Sequence, residues 1–156
     1  MLSGLKGFIF DLDGTIYIDN KLFDGAAELI EKLRTSGKKV LFLSNKPIST
    51  RENYAIKLNK LGIKTSIDEV INSSYVLAAY LKRNFPDAKI FPIAEQPMID
   101  ELISNGFSIV DDPQQVDIVA IAMDRDFDYR KLNIAYQSAI RGAKLIATNP
   151  DKTLIT

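Results

Sequence analysis

Two aspartates separated by one residue follow the first apolar segment of the chain. Asp11 and Asp13 come directly after residues 7–10 (GFIF), which have the composition of a buried strand. In an extended chain, side chains at positions i and i+2 lie on the same side, so the two carboxylates are held close together. Carboxylates at such a distance repel each other unless a cation or a proton is shared between them. The pair therefore predicts a site for cation-assisted nucleophilic or acid–base chemistry.

Magnesium is the cation that suits this pair. It prefers a few hard oxygens and keeps water for its other positions, so the Asp11 carboxylate and the Asp13 carbonyl oxygen would match it. With substrate charge neutralised, Asp11 can attack phosphorus and become an acyl phosphate. Asp13 can protonate the leaving oxygen and later accept a proton from water. The alternative is that each aspartate only forms a turn or caps a helix. The complete pattern D-x-D-G-T after a strand favours a catalytic role instead.

Groups that bind phosphate are expected beside the aspartates. Gly14 permits a sharp turn of the chain, and the Thr15 amide and hydroxyl can donate to a phosphate. Ser44 ends the second apolar segment and lies beside Asp11 if the two strands are close in the sheet. Its hydroxyl and the Asn45 amide can then hold the transferring phosphoryl oxygens. The alternative is that Ser44 and Asn45 only begin a loop.

The rest of the chain alternates short apolar strands with helical patterns. Apolar runs predict strands at residues 7–10, 39–43, 70–71, 89–93, 107–110, 118–123 and 145–148. Helical periodicity and capping signals predict helices at residues 26–36, 49–61, 73–81, 97–104 and 129–141. Such alternation predicts an α/β fold built from parallel βαβ units. The turn-forming cluster at residues 84–87, which contains a proline, predicts a domain boundary, with domains at residues 1–84 and 85–156.

Composition excludes several classes of function. The 156-residue chain has 20 Lys and Arg against 20 Asp and Glu, so no net field favours nucleic acid or an anionic membrane. It has no cysteine and no histidine, which excludes disulfides, thiolate or histidine metal sites, and a Ser-His-Asp triad. No apolar run approaches the length of a membrane span, and the first residues lack the build of a signal peptide. The cytoplasm is therefore the expected location.

The motifs resemble those of the haloacid dehalogenase superfamily. DLDGT at residues 11–15 is similar to its first motif, and LFLSN at residues 41–45 to its second. The branch that includes the NagD-type and p-nitrophenylphosphatase-type enzymes has similar stretches, here found at residues 15–17, 23–26, 117–124 and 147–151. The resemblance spans nearly the whole chain. It implies part of a Rossmann-like parallel-sheet core followed by a large α/β cap of the C2 type.

The resemblance also implies an activity and a set of roles. The expected reaction is magnesium-dependent cleavage of small phosphate monoesters, with Asp11 as nucleophile and metal ligand. Asp13 would be general acid and base and would bind the metal through its carbonyl. Ser44 would bind phosphate, and Asn45 would shape the substrate pocket. Lys46 stands where the branch commonly has a second asparagine, so it adds positive charge near the phosphate or is a solvated loop residue.

Two parts of the family pattern are not matched. The third motif supplies a lysine and the fourth an acidic pair, and no residue downstream of Asp151 corresponds to them. The lysine would offset the charge of Asp11 and the phosphoryl group, and the acidic pair would complete the magnesium site. The sequence is therefore expected to be the amino-terminal part of a longer enzyme.

Two alternatives to a hydrolase remain open. One is a non-catalytic homologue that binds phosphate or metal, and another is a phosphotransferase using the same nucleophile. A receiver-type signalling domain is disfavoured, because its phospho-acceptor follows a middle strand, not the first. The expected substrate is a small phosphorylated metabolite: a sugar phosphate, a nucleotide monophosphate, phosphoglycolate or an aryl phosphate. A homo-oligomer that pairs through a strand edge of the cap is also open.

Overall fold

The computed structural model describes residues 4–150, and their contacts divide them into two compact units. The first unit contains residues 4–44 and 51–72, and the second contains residues 45–50 and 73–150. Each unit is built on a parallel sheet of its own. The predicted α/β class, with a parallel-sheet core followed by a second α/β unit, is confirmed.

The first unit begins with the strand that precedes the aspartates. In chain order it contains β1 (Gly7–Asp11), β2 (Tyr17–Ile18), β3 (Lys21–Leu22), α1 (Ala26–Thr35), β4 (Lys39–Ser44), α2 (Arg51–Lys60), a short 3-10 helix (Ile67–Glu69) and β5 (Val70–Asn72). Its main sheet has the order β1-β4-β5, and all its pairs are parallel. The β2–β3 hairpin was not predicted, because two-residue strands leave no measurable alternation in a sequence.

The core of the first unit lies on one face of this sheet. Val40, Phe42 and Val70 are at most 3% exposed and pack with Ile30 of α1 and Leu58 of α2. Each fully buried side chain of this size contributes about 1.5–3 kcal/mol relative to leaving it in water. Alternation along the strands turns the intervening residues to the opposite face.

The second unit contains the remaining elements. They are α3 (Ser73–Asn84), β6 (Lys89–Ile93), α4 (Gln96–Ser104), β7 (Ser108–Ile109), β8 (Ile118–Ile121), α5 (Tyr129–Ile140) and β9 (Lys144–Ala147). The sheet order is β7-β6-β8-β9, and every pair is parallel. These helices and strands lie where the sequence predicts them, apart from shifts of one to three residues at their ends.

Helices cover both faces of the second sheet. Ile90 and Ile118 pack with residues of α3 and α4, such as Leu81 and Met98. On the other face, Phe91, Ile93 and Val119 pack with residues of α5, including Ile134 and Ala135. A strand that is buried on both faces has a continuous run of apolar residues in its sequence. This is why the sequence predicts β6 and β8 clearly.

The division between the units differs from the boundary expected at residue 84. Helix α3 belongs to the second unit, so the contacts change at residues 72–73. The physical reason is that α3 packs on α4 through Leu77, Ala78 and Leu81, which share a core with β6 and β8. The proline-containing turn at residues 85–87 joins two elements of one unit and does not separate two domains. None of the helices in residues 4–150 has the length and apolar composition needed to cross a membrane.

The N-cap of α5 gives a test of this fold. The Asp128 carboxylate accepts a hydrogen bond from the Lys131 amide at 2.7 Å. Asp128→Ala should lower the free energy of unfolding by about 1 kcal/mol, since the amide loses its acceptor. Asp128→Asn keeps an acceptor oxygen and should stay close to the parent protein in urea denaturation. Equal losses in the two variants would contradict the capping role.

Candidate active site

The register of the first sheet brings polar residues of three strands to one edge. Asp11 is the last residue of β1 and pairs with Leu43 of β4, so Ser44 lies one residue beyond that pair. Ser44 in turn pairs with Asn72, the last residue of β5. Ser44 is 2% exposed and Asn72 is fully buried, whereas Asp11 is exposed. This carboxyl edge is where open α/β sheets bind ligands.

The loop after β1 is closed by its own backbone. The Leu12 carbonyl accepts hydrogen bonds from the amides of Thr15, Ile16 and Tyr17 at 3.2, 2.9 and 3.2 Å. The Gly14 amide donates to the Tyr17 carbonyl at 2.8 Å. Gly14 has a φ of +81°, in the left-handed region that a glycine adopts without strain. Four backbone hydrogen bonds therefore close this loop.

This closure limits the groups that Thr15 can offer to a ligand. The Thr15 amide already donates its hydrogen bond to the Leu12 carbonyl. Of the two Thr15 groups predicted to donate to phosphate, the hydroxyl of this exposed residue is therefore the one that remains. Asp13 is half-buried, and its backbone forms a bridge with Tyr17. The two aspartates are thus carried by a rigid strand end and a closed turn.

The donor set at this edge is compatible with magnesium. No group of three or more acidic, histidine or cysteine side chains that could hold a metal occurs within residues 4–150. The ligands expected from the sequence are the Asp11 carboxylate and the Asp13 carbonyl oxygen. Magnesium is commonly bound by one or two carboxylates, with water and substrate oxygens in its other positions. The two expected ligands fit that pattern. Calcium takes six to eight oxygen ligands, so they are too few for a calcium site built from protein groups alone.

A tyrosine of α2 reaches the back of the site. The Ser44 hydroxyl donates a hydrogen bond to the Tyr54 hydroxyl oxygen at 3.2 Å, and Tyr54 is 6% exposed. Burial raises the pKa of Tyr54, as does the charge of Asp13, while the hydrogen bond from Ser44 acts in the opposite direction. Sequence reasoning gave Tyr54 no role at the site. The choice of tyrosine on a buried helix face was the one clue in the sequence, because a buried tyrosine hydroxyl usually has a hydrogen-bond partner.

A second tyrosine lies under the loop. Tyr17 is fully buried, and the Lys57 Nζ lies 3.8 Å from the centroid of its ring, a cation–π contact. Burial, and to a smaller extent the charge of Asp13, raises the pKa of Tyr17 well above its ordinary value. No hydrogen-bond partner for the buried Tyr17 hydroxyl is found within residues 4–150. Its side chain contributes packing beneath the aspartates.

The other two predicted phosphate-binding residues belong to the second unit. The Asn45 carbonyl accepts hydrogen bonds from the Ser73 hydroxyl at 3.0 Å and from the Asn149 side-chain amide at 3.4 Å. Asn45 is exposed and Lys46 is half-buried. A role in phosphate binding for Asn45 and Lys46 stays a prediction.

Charged residues also gather at the carboxyl ends of β6 and β8. Arg125 donates to both carboxylate oxygens of Glu95, at 2.6 and 2.7 Å, and these hydrogen bonds lower the pKa of Glu95. The Lys131 Nζ donates to Asp124 at 2.7 Å, and the Asp124 side chain is only 2% exposed. The charges are thus paired, which ties the loop after β8 to its neighbours.

Comparison with known proteins matches the chain to one family. The model of a family described as haloacid dehalogenase-like hydrolase matches residues 8–108. The sugar-phosphatase AraL of Bacillus subtilis is 39% identical over 147 residues, which cover 94% of this chain and 54% of AraL. The chain therefore spans little more than half the length of this relative.

Solved structures of similar proteins share the fold. A p-nitrophenyl phosphatase from Archaeoglobus fulgidus superposes with a TM-score of 0.88 at 31% identity, covering 94% of this chain and 56% of that one. NagD from Escherichia coli K-12 gives a TM-score of 0.86 at 28% identity, with 94% and 58% of the two chains covered. The likeness thus extends over both units of this chain.

The conformation of Gly14 predicts a stability change. Gly14→Ala would place a Cβ in open space but at a φ of +81°, so the expected loss is conformational and amounts to about 1 kcal/mol. Urea denaturation measures it. Gly4→Ala is the control, because Gly4 also has open space around it and no positive φ, and its unfolding should be almost unchanged. A Gly14 variant as stable as this control would contradict the strain argument.

Burial of Tyr17 predicts sensitivity to alkali. Because its folded-state pKa is raised above 10.0, folding favours the neutral phenol. That stabilisation is complete below the unfolded-state pKa and is lost as pH rises through the folded-state pKa. The free energy of unfolding should therefore fall above a pH of about 10. Tyr17→Phe removes one titrating group and should make this fall shallower, with Tyr54 responsible for the remainder, whereas an unchanged profile would contradict the assignment.

Proposed function

The chain belongs to the haloacid dehalogenase-like hydrolase family, and on that basis we propose that the protein is a magnesium-dependent phosphatase of small phosphate monoesters. The reaction passes through an aspartyl phosphate on Asp11. The register of β1 and β4 carries the proposal, because it sets the exposed Asp11 beside Ser44 at the carboxyl edge of the sheet. The names of the relatives, sugar phosphatase and p-nitrophenyl phosphatase, support the same class of reaction.

The first half-reaction transfers the phosphoryl group to the protein. A carboxylate oxygen of Asp11 attacks phosphorus, and the bond between phosphorus and the leaving oxygen breaks. Asp13 donates its proton to that oxygen, so the alcohol leaves neutral. In the second half, water attacks the phosphorus of the aspartyl phosphate, and Asp13 takes a proton from that water. Inorganic phosphate leaves, and both aspartates return to their starting states.

The remaining site residues orient the phosphoryl group. The Ser44 and Thr15 hydroxyls, and the amide of Asn45, donate to its oxygens, and Lys46 adds positive charge. Gly14 permits the turn that sets Thr15 beside the strand end. Magnesium, held by the Asp11 carboxylate and the Asp13 carbonyl, would neutralise charge on the phosphoryl oxygens and on the nucleophile.

The proposed substrate is a sugar phosphate, and the proposed location is the cytoplasm. The relative AraL is named a sugar phosphatase, which supports this class over the others. The absence of cysteine is compatible with a reducing compartment.

A binding protein without turnover is the second candidate. No third acidic ligand for a metal lies within residues 4–150, which favours it for this chain. Such a protein would bind inorganic phosphate or magnesium and release no phosphate from any ester.

Replacement of the nucleophile tests the proposal. Asp11→Asn should lower the release of phosphate from p-nitrophenyl phosphate, with magnesium present, by at least about a thousandfold, because an amide is a poor nucleophile. Asp19→Asn is the control: Asp19 is exposed in the hairpin turn with a φ of 51°, which asparagine tolerates.

Three outcomes are informative. Loss in Asp11→Asn but not in Asp19→Asn supports the proposal. Turnover unaffected by Asp11→Asn would rule out the mechanism. A parent chain that binds inorganic phosphate but never turns over favours the second candidate.

A further inference from the structure

Two hydroxyl groups are buried against each other behind the carboxyl edge of β4. The Ser44 hydroxyl and the Tyr54 hydroxyl are 3.2 Å apart, and the two residues are 2% and 6% exposed. Burying a hydroxyl is unfavourable unless it is hydrogen-bonded. Phenylalanine at position 54 would fill nearly the same volume without that requirement, and the neighbouring inner positions of α2, Ala55 and Leu58, are apolar. The Tyr54 hydroxyl therefore has a polar role at Ser44.

The hydroxyl of Ser44 carries a single proton. When Ser44 donates it to the Tyr54 oxygen, that proton is not directed at a phosphoryl oxygen, which can only accept. Two hydroxyls can exchange donor and acceptor roles without moving their oxygens. If the Tyr54 O–H donates to the Ser44 Oγ, the Ser44 proton is released to a ligand and the Oγ stays in place.

Tyr54 keeps the proton that this exchange needs. Burial and the charge of Asp13 both raise its pKa above the ordinary value of 10.0, so it is a neutral phenol at physiological pH. A phenol that stays protonated beside carboxylates is a dependable donor.

Helix α2 holds Tyr54 firmly. Arg51, one turn before it, donates from its Nε to the Val70 carbonyl at 2.7 Å and from its Nη2 to the Ile67 carbonyl at 2.8 Å. These bonds fix the start of α2 against β5 and the 3-10 helix that precedes it. A side chain carried by an anchored helix can set the position of a neighbour closely.

We propose that Tyr54 is a positioning residue for phosphoryl transfer: its hydroxyl fixes the Ser44 Oγ and exchanges hydrogen-bond roles with it when a phosphoryl oxygen binds. This inference rests on the proposed function, since it assigns Ser44 to the phosphoryl group. Tyr54 acts through Ser44 and does not touch the substrate.

Removal of one hydroxyl tests the proposal. Tyr54→Phe should lower kcat/KM for p-nitrophenyl phosphate by about tenfold, because Ser44 loses the hydrogen bond that positions its hydroxyl. Tyr80→Phe is the control, because it removes the same atom from a tyrosine of α3 that is 48% exposed and belongs to the second unit. It should leave kcat/KM unchanged. Equal losses in both variants would indicate general repacking and overturn the proposal.

A double-mutant cycle separates positioning from structure. In a Ser44→Ala background, Tyr54→Phe should cause almost no further loss of kcat/KM, because the residue through which Tyr54 acts is gone. If Tyr54 only stabilises the fold, its tenfold loss should appear in both backgrounds, and the proposal fails. Urea unfolding checks that each variant is folded. Tyr54→Met, which also lacks the hydroxyl, replaces Tyr54→Phe in the cycle if the latter does not fold.

The cycle also distinguishes this proposal from the function on which it rests. Turnover that depends on Asp11 but is unchanged in Tyr54→Phe would leave the proposed function standing and overturn the role of Tyr54. If the parent chain shows no turnover, the same four proteins are compared for affinity towards inorganic phosphate. A weaker affinity in Tyr54→Phe, absent in the Ser44→Ala background, supports the positioning role. Equal affinities, or no binding by any protein, overturn it.

Discussion

The parallel pairing of β1 with β4 is the constraint on which the candidate site depends. Its register sets Asp11 opposite Leu43, so Asp11 and Ser44 both lie at the carboxyl end of the sheet. A slip of one residue would turn every side chain of a strand to the other face, which would remove Phe42 and Val40 from the core. The apolar core therefore selects the register, and the register brings the polar groups together. Stability and site geometry depend on the same backbone hydrogen bonds.

Helix α2 connects that core to the polar edge. Its inner face buries Leu58 among apolar residues, yet it also carries Tyr54, whose hydroxyl meets Ser44. Lys57 lies over the buried ring of Tyr17, so a cation is held beneath the loop that carries the aspartates. Burial raises the pKa of both tyrosines, and the charge of Asp13 acts on each of them in the same direction.

The segment that follows Ser44 shows where reasoning from motifs reaches its limit. LFLSN is continuous in the sequence, but its last residue belongs by its contacts to the second unit, with its carbonyl bonded to Ser73 and Asn149. Asn149 is 104 positions away along the chain. The boundary expected at residue 84 was displaced for a similar reason, since α3 shares its core with α4 and the second sheet. Local turn signals mark changes of direction, and long-range packing decides which unit an element joins.

The sequence by itself determined the α/β class, nearly every strand and helix, and the aspartates at the end of β1. These follow from the spacing of apolar residues and from glycine and proline signals, which are local. The tertiary structure decided the order β1-β4-β5, the neighbours of Ser44, the use of the Thr15 amide within its own loop and the polar role of Tyr54. Those features join residues that are distant in the chain or depend on exact backbone angles. Periodicity shows which face of an element is buried, but it does not show which side chain lies opposite.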